Sequence, residues 1–178
     1  MTDLPRSDID IPTPDGSADA YLVEPAEGSS RGVLVFMDAI GLRPRMTEMA
    51  DRIATEGYRV LVPNLFYRAG RAPVVPDLVA RLQGEDRAAV FGELRPLMTA
   101  LTPEVAARDT QAYVDVLATD HLATVGYCMG GALALRPASC PTGWSPSPAS
   151  TAATSRRRTA PGLTSRACAR RSTPGTPT

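Results

Sequence analysis

The chain has 178 residues, enough for a single domain with a substantial core, and its 19 acidic and 19 basic groups give a formal net charge of zero. All 19 acidic groups precede residue 136, whereas seven of the 19 arginines follow residue 135. Three cysteines without the spacing of a disulfide framework, no apolar leader and no apolar run of about 18 residues exclude a disulfide scaffold and a membrane-spanning helix. We therefore predict a soluble protein of the reducing cytoplasm.

The first segments predict an arm followed by two strands. Residues 9–15 form a polar, proline-containing arm that ends at Asp15-Gly16, a turn signal of the hairpin type. Alternation of side chains over residues 18–23 predicts a half-exposed strand, which Pro25 ends. The continuous apolar run over residues 32–37 is typical of a central strand that is buried on both faces of a parallel sheet.

A helix and another strand follow. Apolar residues at i, i+3, i+4, i+7 and i+8 predict a helix that begins near Pro44 and ends at Gly57: Met46, Met49, Ala50, Ile53 and Ala54. Residues 59–62 predict the next strand, which ends at Pro63. A strand, a helix and a strand within about 30 residues form a βαβ unit, whose crossover is nearly always right-handed. This order predicts an α/β fold with a parallel sheet.

The next stretch carries weaker signals. Residues 65–68 predict a loop at the carboxyl edge of the sheet, where open α/β sheets bind their ligands. Two short helical patterns follow over residues 76–82 and 85–98, and we predict that Pro96 interrupts the second.

A further helix and strand lead to the most informative part of the chain. Thr102-Pro103-Glu104 combines an N-cap residue, a first-turn proline and an acid that suits the helix dipole, which predicts a helix ending near Asp120. The apolar run over residues 122–125 predicts a strand, and small residues from position 130 predict a helix. Between them lie residues 126–131, Gly-Tyr-Cys-Met-Gly-Gly, which predict a sharp turn centred on Cys128.

The glycines around Cys128 indicate what this turn does. The residue at the apex of such a turn has a strained backbone, and glycines two positions on either side leave room for it. Its side chain projects into a cleft, and the positive end of the helix dipole favours a thiolate there. A nucleophile is one interpretation; a buried structural cysteine and a phosphate-binding turn are the alternatives. The chain lacks a phosphate-loop lysine and the Gly-Xaa-Gly-Xaa-Xaa-Gly spacing, which weakens the last alternative.

Residues 126–131 resemble the nucleophile elbow of the dienelactone hydrolase family, α/β-hydrolases that carry a cysteine in place of the usual serine. Three other segments are similar to that family in order and spacing: Asp38-Ala39-Ile40-Gly41, Gly57-Tyr58-Arg59-Val60 and Pro63-Asn64-Leu65-Phe66-Tyr67-Arg68. The resemblance covers about residues 9–135. It implies an α/β-hydrolase-type parallel sheet, of which residues 1–135 form the N-terminal part, with no metal and no cofactor.

The resemblance also implies roles for individual residues. Cys128 would attack the carbonyl of a small lactone or ester and form an acyl-enzyme. The backbone N–H groups of Ala39 and Met129 would form the oxyanion hole. Asp38 takes the place of a glutamate that contacts the resting thiol, although its side chain is one methylene shorter. The alternative is that Asp38 caps the loop or the next helix.

An arginine that binds a substrate carboxylate is implied between Arg68 and Arg87, with surface salt bridges as the alternative use of arginines there. The chain departs from the family after the elbow, because the Asp and His of such a hydrolase come later in the chain, and no Asp, Glu or His follows residue 121. His121 precedes Cys128 by seven residues, about 23 Å at roughly 3.3 Å per residue of strand. We expect it at the opposite end of the sheet, and we expect hydrolysis to be impaired.

Residues 136–178 differ in composition from the rest of the chain. They are almost entirely Arg, Pro, Ser, Thr, Ala and Gly, which predicts a basic, low-complexity, disordered tail. We hypothesise a change of reading frame near residues 135–141, because one synonymous coding of residues 140–154, read from its third base, encodes the apolar strand Pro-Asp-Arg-Val-Val-Ala-Val-Ala-Ser-Phe-His-Gly-Gly-Asn. Nucleic-acid binding by the tail and thiol-based redox regulation by Cys128 are alternative functions that rank below the hydrolase. Neither the oligomeric state nor the particular ester is predicted.

Overall fold

The computed structural model of the protein describes residues 4–84 and 87–135. This part of the chain contains five strands: β1 Arg6–Thr13, β2 Gly16–Val23, β3 Arg31–Phe36, β4 Arg59–Pro63 and β5 His121–Gly126. It also contains five helices: α1 Pro44–Ala54, α2 Leu78–Gln83, α3 Arg87–Ala100, α4 Pro103–Leu117 and α5 Met129–Ala134. The predicted tail and the hypothesised change of reading frame lie outside the described residues.

The strands form one sheet in the order β1-β2-β4-β3-β5. β3 pairs in parallel with β4 and with β5, and Phe36 lies opposite Gly126 at the end of the second pairing. β1 and β2 are antiparallel and continue the sheet beyond β4. The predicted α/β fold and the central position of β3 are confirmed, and the carboxyl ends of β3, β4 and β5 share one edge of the sheet.

The predicted arm over residues 9–15 is instead the second half of β1 and the turn that follows it. β1 pairs along its whole length with β2, from Arg6 opposite Val23 to Thr13 opposite Gly16. Its polar composition fits a strand at the edge of the sheet, where Pro12 removes no hydrogen bond that a further strand needs. Only Ile11 is fully buried among its apolar residues. The hairpin predicted from Asp15-Gly16 is confirmed.

The helices follow the predicted signals with one exception. α1 begins at Pro44 and buries its apolar stripe against the sheet, as predicted. The hydroxyl of Thr102 caps α4 by accepting a hydrogen bond from the N–H of Val105 at 3.3 Å. Pro96, predicted to interrupt its helix, lies inside a continuous α3. Pro96 and Gly92 are both exposed, so water can replace the N–H partner that the carbonyl of Gly92 loses.

Two groups of buried side chains fill the described part of the protein. The main core joins the sheet to α1 and α4, with Phe36, Met46 and Tyr113 among its largest side chains. A smaller core, Leu78, Val90 and Leu94, holds α2 to α3 and contacts Ile40 in the loop after β3. The α2-α3 pair therefore lies over the carboxyl edge of the sheet. In residues 4–84 and 87–135, no helix has the length and apolar character that crossing a membrane requires.

Candidate active site

Cys128 lies at the apex of the turn between β5 and α5, as the sequence predicted. Its backbone has φ 54° and ψ −117°, a region that residues other than glycine rarely adopt. Its side chain is exposed, and its thiol is free. The turn therefore presents a strained, accessible sulfur at the carboxyl edge of the parallel strands.

The two glycines that flank Cys128 are required by close packing. A Cβ atom on Gly126 would lie 2.0 Å from the carbonyl oxygen of Gly130, and one on Gly130 would lie 2.4 Å from the carbonyl oxygen of Phe36. The N–H of Tyr127 also donates a hydrogen bond to the Phe36 carbonyl at 3.1 Å. The elbow is therefore packed directly on the end of β3.

Two backbone N–H groups near this contact have no acceptor among residues 4–84 and 87–135. The N–H of Met129 is the first of α5, and the N–H of Ala39 follows the end of β3 by three residues. Within the part of the chain that the structure describes, neither donates a hydrogen bond, whereas the N–H groups of Gly130 and Gly131 are bound to the carbonyls of Tyr127 and Cys128. Two free donors thus belong to the two segments that the elbow brings into contact.

Asp38 closes the loop between β3 and α1. Its Oδ1 accepts a hydrogen bond from the N–H of Ile40 at 3.0 Å, and Arg43 donates to both carboxylate oxygens at 2.7 and 2.9 Å. Both side chains of this ion pair are less than one-fifth exposed. Among the described residues no hydrogen bond joins Asp38 to Cys128. These contacts fit the alternative role of Asp38, in which its side chain caps the loop after β3.

Arg68 is held by two aspartates. Its Nη1 and Nη2 donate to the two oxygens of Asp109 at 2.8 and 2.9 Å, and its Nε donates to Asp15 at 2.9 Å. Burial alone would lower the pKa of Arg68, but its hydrogen bonds to Asp109 and Asp15 outweigh this effect and raise the pKa. Asp109 is 1% exposed. A substrate carboxylate would have to compete with both aspartates for this guanidinium.

The other charged candidates lie away from the elbow or at the surface. Arg87 is exposed, and its Nε donates to the carbonyl of Leu82 at 2.9 Å. His121 is exposed and begins β5 opposite Arg31, while Gly126 ends the strand beside the elbow. The prediction that His121 lies at the far end of the sheet is confirmed. Nowhere in residues 4–84 and 87–135 do three His, Cys, Asp or Glu side chains cluster as metal ligands.

Sequence reasoning missed the partners of these charges. Asp109 occupies the buried face of α4 between Ala106 and Tyr113, at positions i+3 and i−4 to them. A lone carboxylate on an apolar helix stripe is a signal that a buried partner exists, and it could have pointed to Arg68. No comparable signal singles out Arg43 as the partner of Asp38.

A cleft of about 390 Å³ opens beside the loop that follows β3. Its walls come from that loop, from the segment before α2 and from α2 itself, and include Ile40, Leu42, Val75, Leu78 and Val79. We call it the α2 cleft. Ile40, which lines the cleft, follows Ala39 directly in the chain, so the cleft opens near the carboxyl edge of the sheet, where Cys128 also lies.

A parallel sheet with helices packed on it, and a strained residue at a glycine-flanked turn from strand to helix, define an α/β-hydrolase. The chain matches the sequence profile of the dienelactone hydrolase family over residues 18–144. It belongs to that family, as the sequence resemblance indicated.

Curated relatives support this assignment. The chain is 33% identical over 125 residues to a carboxymethylenebutenolidase from Pseudomonas sp. (strain P51), covering 67% of this chain and 49% of that protein. It is 28% identical over 120 residues to carboxymethylenebutenolidase 1 from Cupriavidus pinatubonensis, covering 67% of this chain and 50% of that protein. The chain thus spans about half the length of the curated relatives it matches.

Solved structures show the same fold. A candidate dienelactone hydrolase from Klebsiella pneumoniae subsp. pneumoniae matches with a TM-score of 0.58 and 24% identity, over 72% of this chain and 52% of that one. A dienelactone hydrolase-like promiscuous phosphotriesterase from metagenomic libraries matches with a TM-score of 0.52 and 23% identity, over 76% and 54% of the two chains. The described residues therefore have the architecture of roughly half of an α/β-hydrolase.

Proposed function

We propose that the protein is a hydrolase of the dienelactone hydrolase type that acts on a small lactone or carboxylic ester through Cys128. The observation that carries the proposal is the strained, exposed cysteine at the elbow, packed against the end of β3 by its two glycines. A backbone held in a rare conformation is typical of functional sites, because a merely structural cysteine has no need of it.

The chemistry follows from the groups around the sulfur. The thiolate of Cys128 adds to the substrate carbonyl, and the tetrahedral intermediate collapses with cleavage of the C–O bond. This leaves a thioester and an alkoxide, which takes a proton from water to become the alcohol. The free N–H groups of Ala39 and Met129 are the donors proposed to stabilise the negative oxygen of that intermediate. Asp38 supports this arrangement indirectly, because it fixes the loop that carries Ala39.

The second half of the reaction is expected to be slow. Hydrolysis of a thioester needs a base to activate water, and the chain has no Asp, Glu or His after residue 121. His121 lies at the other end of β5. We therefore propose that Cys128 is acylated faster than it is released, so that an acyl-enzyme accumulates with little turnover.

Arg68 and Arg87 remain the candidates for binding a substrate carboxylate in this proposal, and the ion pairs of Arg68 weaken its case. The cysteine usage of the chain supports a cytoplasmic site of action.

The hypothesised change of reading frame is tested on the coding DNA near residues 135–141. A single-base change there that opens a long frame rich in Val, Ile, Asp and His would support it, and no such frame would overturn it.

The acylation proposal is tested with p-nitrophenyl acetate and mass spectrometry of the intact chain. In a background with Cys140→Ser and Cys168→Ser, Cys128 is the only thiol. We expect a burst of p-nitrophenol close to one equivalent and the matching mass gain of one acetyl group. Cys128→Ala should lose both. Release of p-nitrophenol that Cys128→Ala leaves unchanged would overturn the proposal.

A further inference from the structure

We propose that the α2 cleft receives an uncharged, apolar part of the substrate, and that this site disfavours substrates that carry a carboxylate. The inference rests on the proposed function, since it names the class of ester that would acylate Cys128. It is carried by the lining of the cleft and by the carboxylates that already pair with Arg43 and Arg68.

The walls of the α2 cleft are mostly apolar side chains. Ile40 and Leu42 line it from the loop after β3, and Leu78 and Val79 line it from α2. Ile40 follows Ala39 directly, so a molecule whose carbonyl is held near Ala39 has an apolar surface within reach of its neighbouring carbons. Removing such carbons from water by burial is favourable. The lining therefore favours an alkyl or aryl group.

The charged groups of the cleft disfavour an anion. Arg43 lines it, but both carboxylate oxygens of Asp38 accept hydrogen bonds from this guanidinium. Asp77 also lines the cleft; its side chain caps no N–H of α2, and within the described residues no arginine forms an ion pair with it. The uncompensated charge of the cleft is therefore negative, and it repels a second carboxylate.

Arg68 is one of the two arginines, with Arg87, that bound the range in which the family resemblance implies binding of a substrate carboxylate. The charge of Arg68 is compensated as well. Its two charged partners are Asp109 and Asp15, and Arg108 shares the second of them. Freeing Arg68 for a substrate would leave the buried carboxylate of Asp109 unpaired, which is strongly unfavourable. The guanidinium of Arg68, which could bind an anion, is thus already occupied by Asp109 and Asp15.

The test uses two iodoacetamides that differ only at the end of the arm on the amide nitrogen: an n-pentyl arm and a 4-carboxybutyl arm. Each forms a carbon–sulfur bond with the thiolate and releases iodide, so the rate reports access to Cys128 without any hydrolysis. Rates are measured by mass spectrometry in the background with Cys140→Ser and Cys168→Ser. Each is divided by the rate of the same probe with 2-mercaptoethanol.

We expect the normalised rate of the pentyl probe to exceed that of the carboxybutyl probe by at least about fivefold. Val79→Arg places a cation on the wall of the cleft and should reduce this preference at least about threefold. Phe91→Arg is the matched control, because Phe91 is 58% exposed on α3 and does not line the cleft. It should leave the preference unchanged.

Equal normalised rates for the two probes would overturn the inference, as would equal effects of Val79→Arg and Phe91→Arg. The outcome is separate from that of the ester experiment. A preference for the pentyl probe without acylation by p-nitrophenyl acetate supports the cleft and overturns the proposed chemistry. Acylation without such a preference supports the chemistry and overturns the cleft.

Discussion

The carbonyl oxygen of Phe36, at the end of β3, accepts a hydrogen bond from the N–H of Tyr127 at 3.1 Å. The same oxygen lies where a Cβ atom on Gly130 would be placed, at 2.4 Å. One carbonyl therefore fixes both sides of Cys128, and it allows only a glycine on the helical side. The turn that presents the thiol therefore depends on a contact between Phe36 and Tyr127, which are 91 residues apart in the chain.

We expect Gly130→Ala to destabilise the protein by about 2–3 kcal/mol, because the added methyl group cannot fit against the Phe36 carbonyl without a shift of backbone. The measurement is urea unfolding followed by circular dichroism. Gly92→Ala is the matched control: no atom lies within 4 Å of its added Cβ, and it lies in α3. It should stabilise the protein by about 0.5–1 kcal/mol. Equal effects of the two substitutions would contradict the packing argument.

We expect Cys128→Gly to be more stable than Cys128→Ala by about 1 kcal/mol. The conformation at φ 54° costs an alanine about 1–3 kcal/mol, whereas a glycine adopts it freely and gives back about 0.5–1 kcal/mol in chain entropy. Thermal unfolding of the two variants measures the difference. Ala132→Gly, inside α5, is the control and should destabilise by about 1 kcal/mol. A glycine at position 128 that is no better than alanine would show that the elbow is unstrained.

The elbow could be predicted from the sequence because its requirements are local. Glycines two positions on either side of Cys128, an apolar run before them and small residues after them are all visible within one short segment. The same holds for α4, whose N-cap at Thr102 is set by three consecutive residues. β1 was missed because its residues have little strand character of their own, and only pairing with β2 makes them a strand.

The charge partners could not be predicted because they come from distant segments. Arg68 and Asp109 are 41 residues apart, and Arg68 and Asp15 are 53 apart. A resemblance to a family gives the range of the chain in which a binding arginine is expected, whereas the partners of each arginine depend on which residues the fold places around it. Asp38 shows the same limit. Its position in the chain is that of a glutamate that contacts the thiol in the family, whereas its ion pair with Arg43 determines where its carboxylate lies.

We expect Asp15→Asn to remove part of the acid sensitivity of the protein. Hydrogen bonding to Arg68 lowers the pKa of Asp15 below its model-compound value of 3.8, although burial opposes this. A carboxyl group whose pKa is lower in the folded protein than in the unfolded chain stabilises the fold at pH values above its pKa in the unfolded chain. This stabilisation is lost as the pH falls through the pKa of the group in the folded protein. The melting temperatures of the protein and of Asp15→Asn should therefore differ at pH 6 and converge below pH ~3.

Glu27→Gln is the control for this prediction, since Glu27 is exposed in the loop after β2. Its melting temperature should follow that of the unchanged protein across the same pH range. A difference between the protein and Asp15→Asn that grows toward low pH has the wrong sign and would contradict the assignment.

We expect Arg68→Met to destabilise the protein by about 3 kcal/mol, because it leaves the buried carboxylate of Asp109 without its cation. Adding Asp109→Leu should recover much of this loss, since the unpaired charge is then removed. The same cycle on Arg71 and Asp10, an ion pair whose side chains are 67% and 54% exposed, should show less than about 1 kcal/mol of coupling. Urea unfolding of the four variants in each cycle measures both couplings. If Arg68→Met were as mild as Arg71→Met and slowed only the carboxybutyl probe at Cys128, Arg68 would be a free binding residue, and its ion pair with Asp109 would not hold in solution.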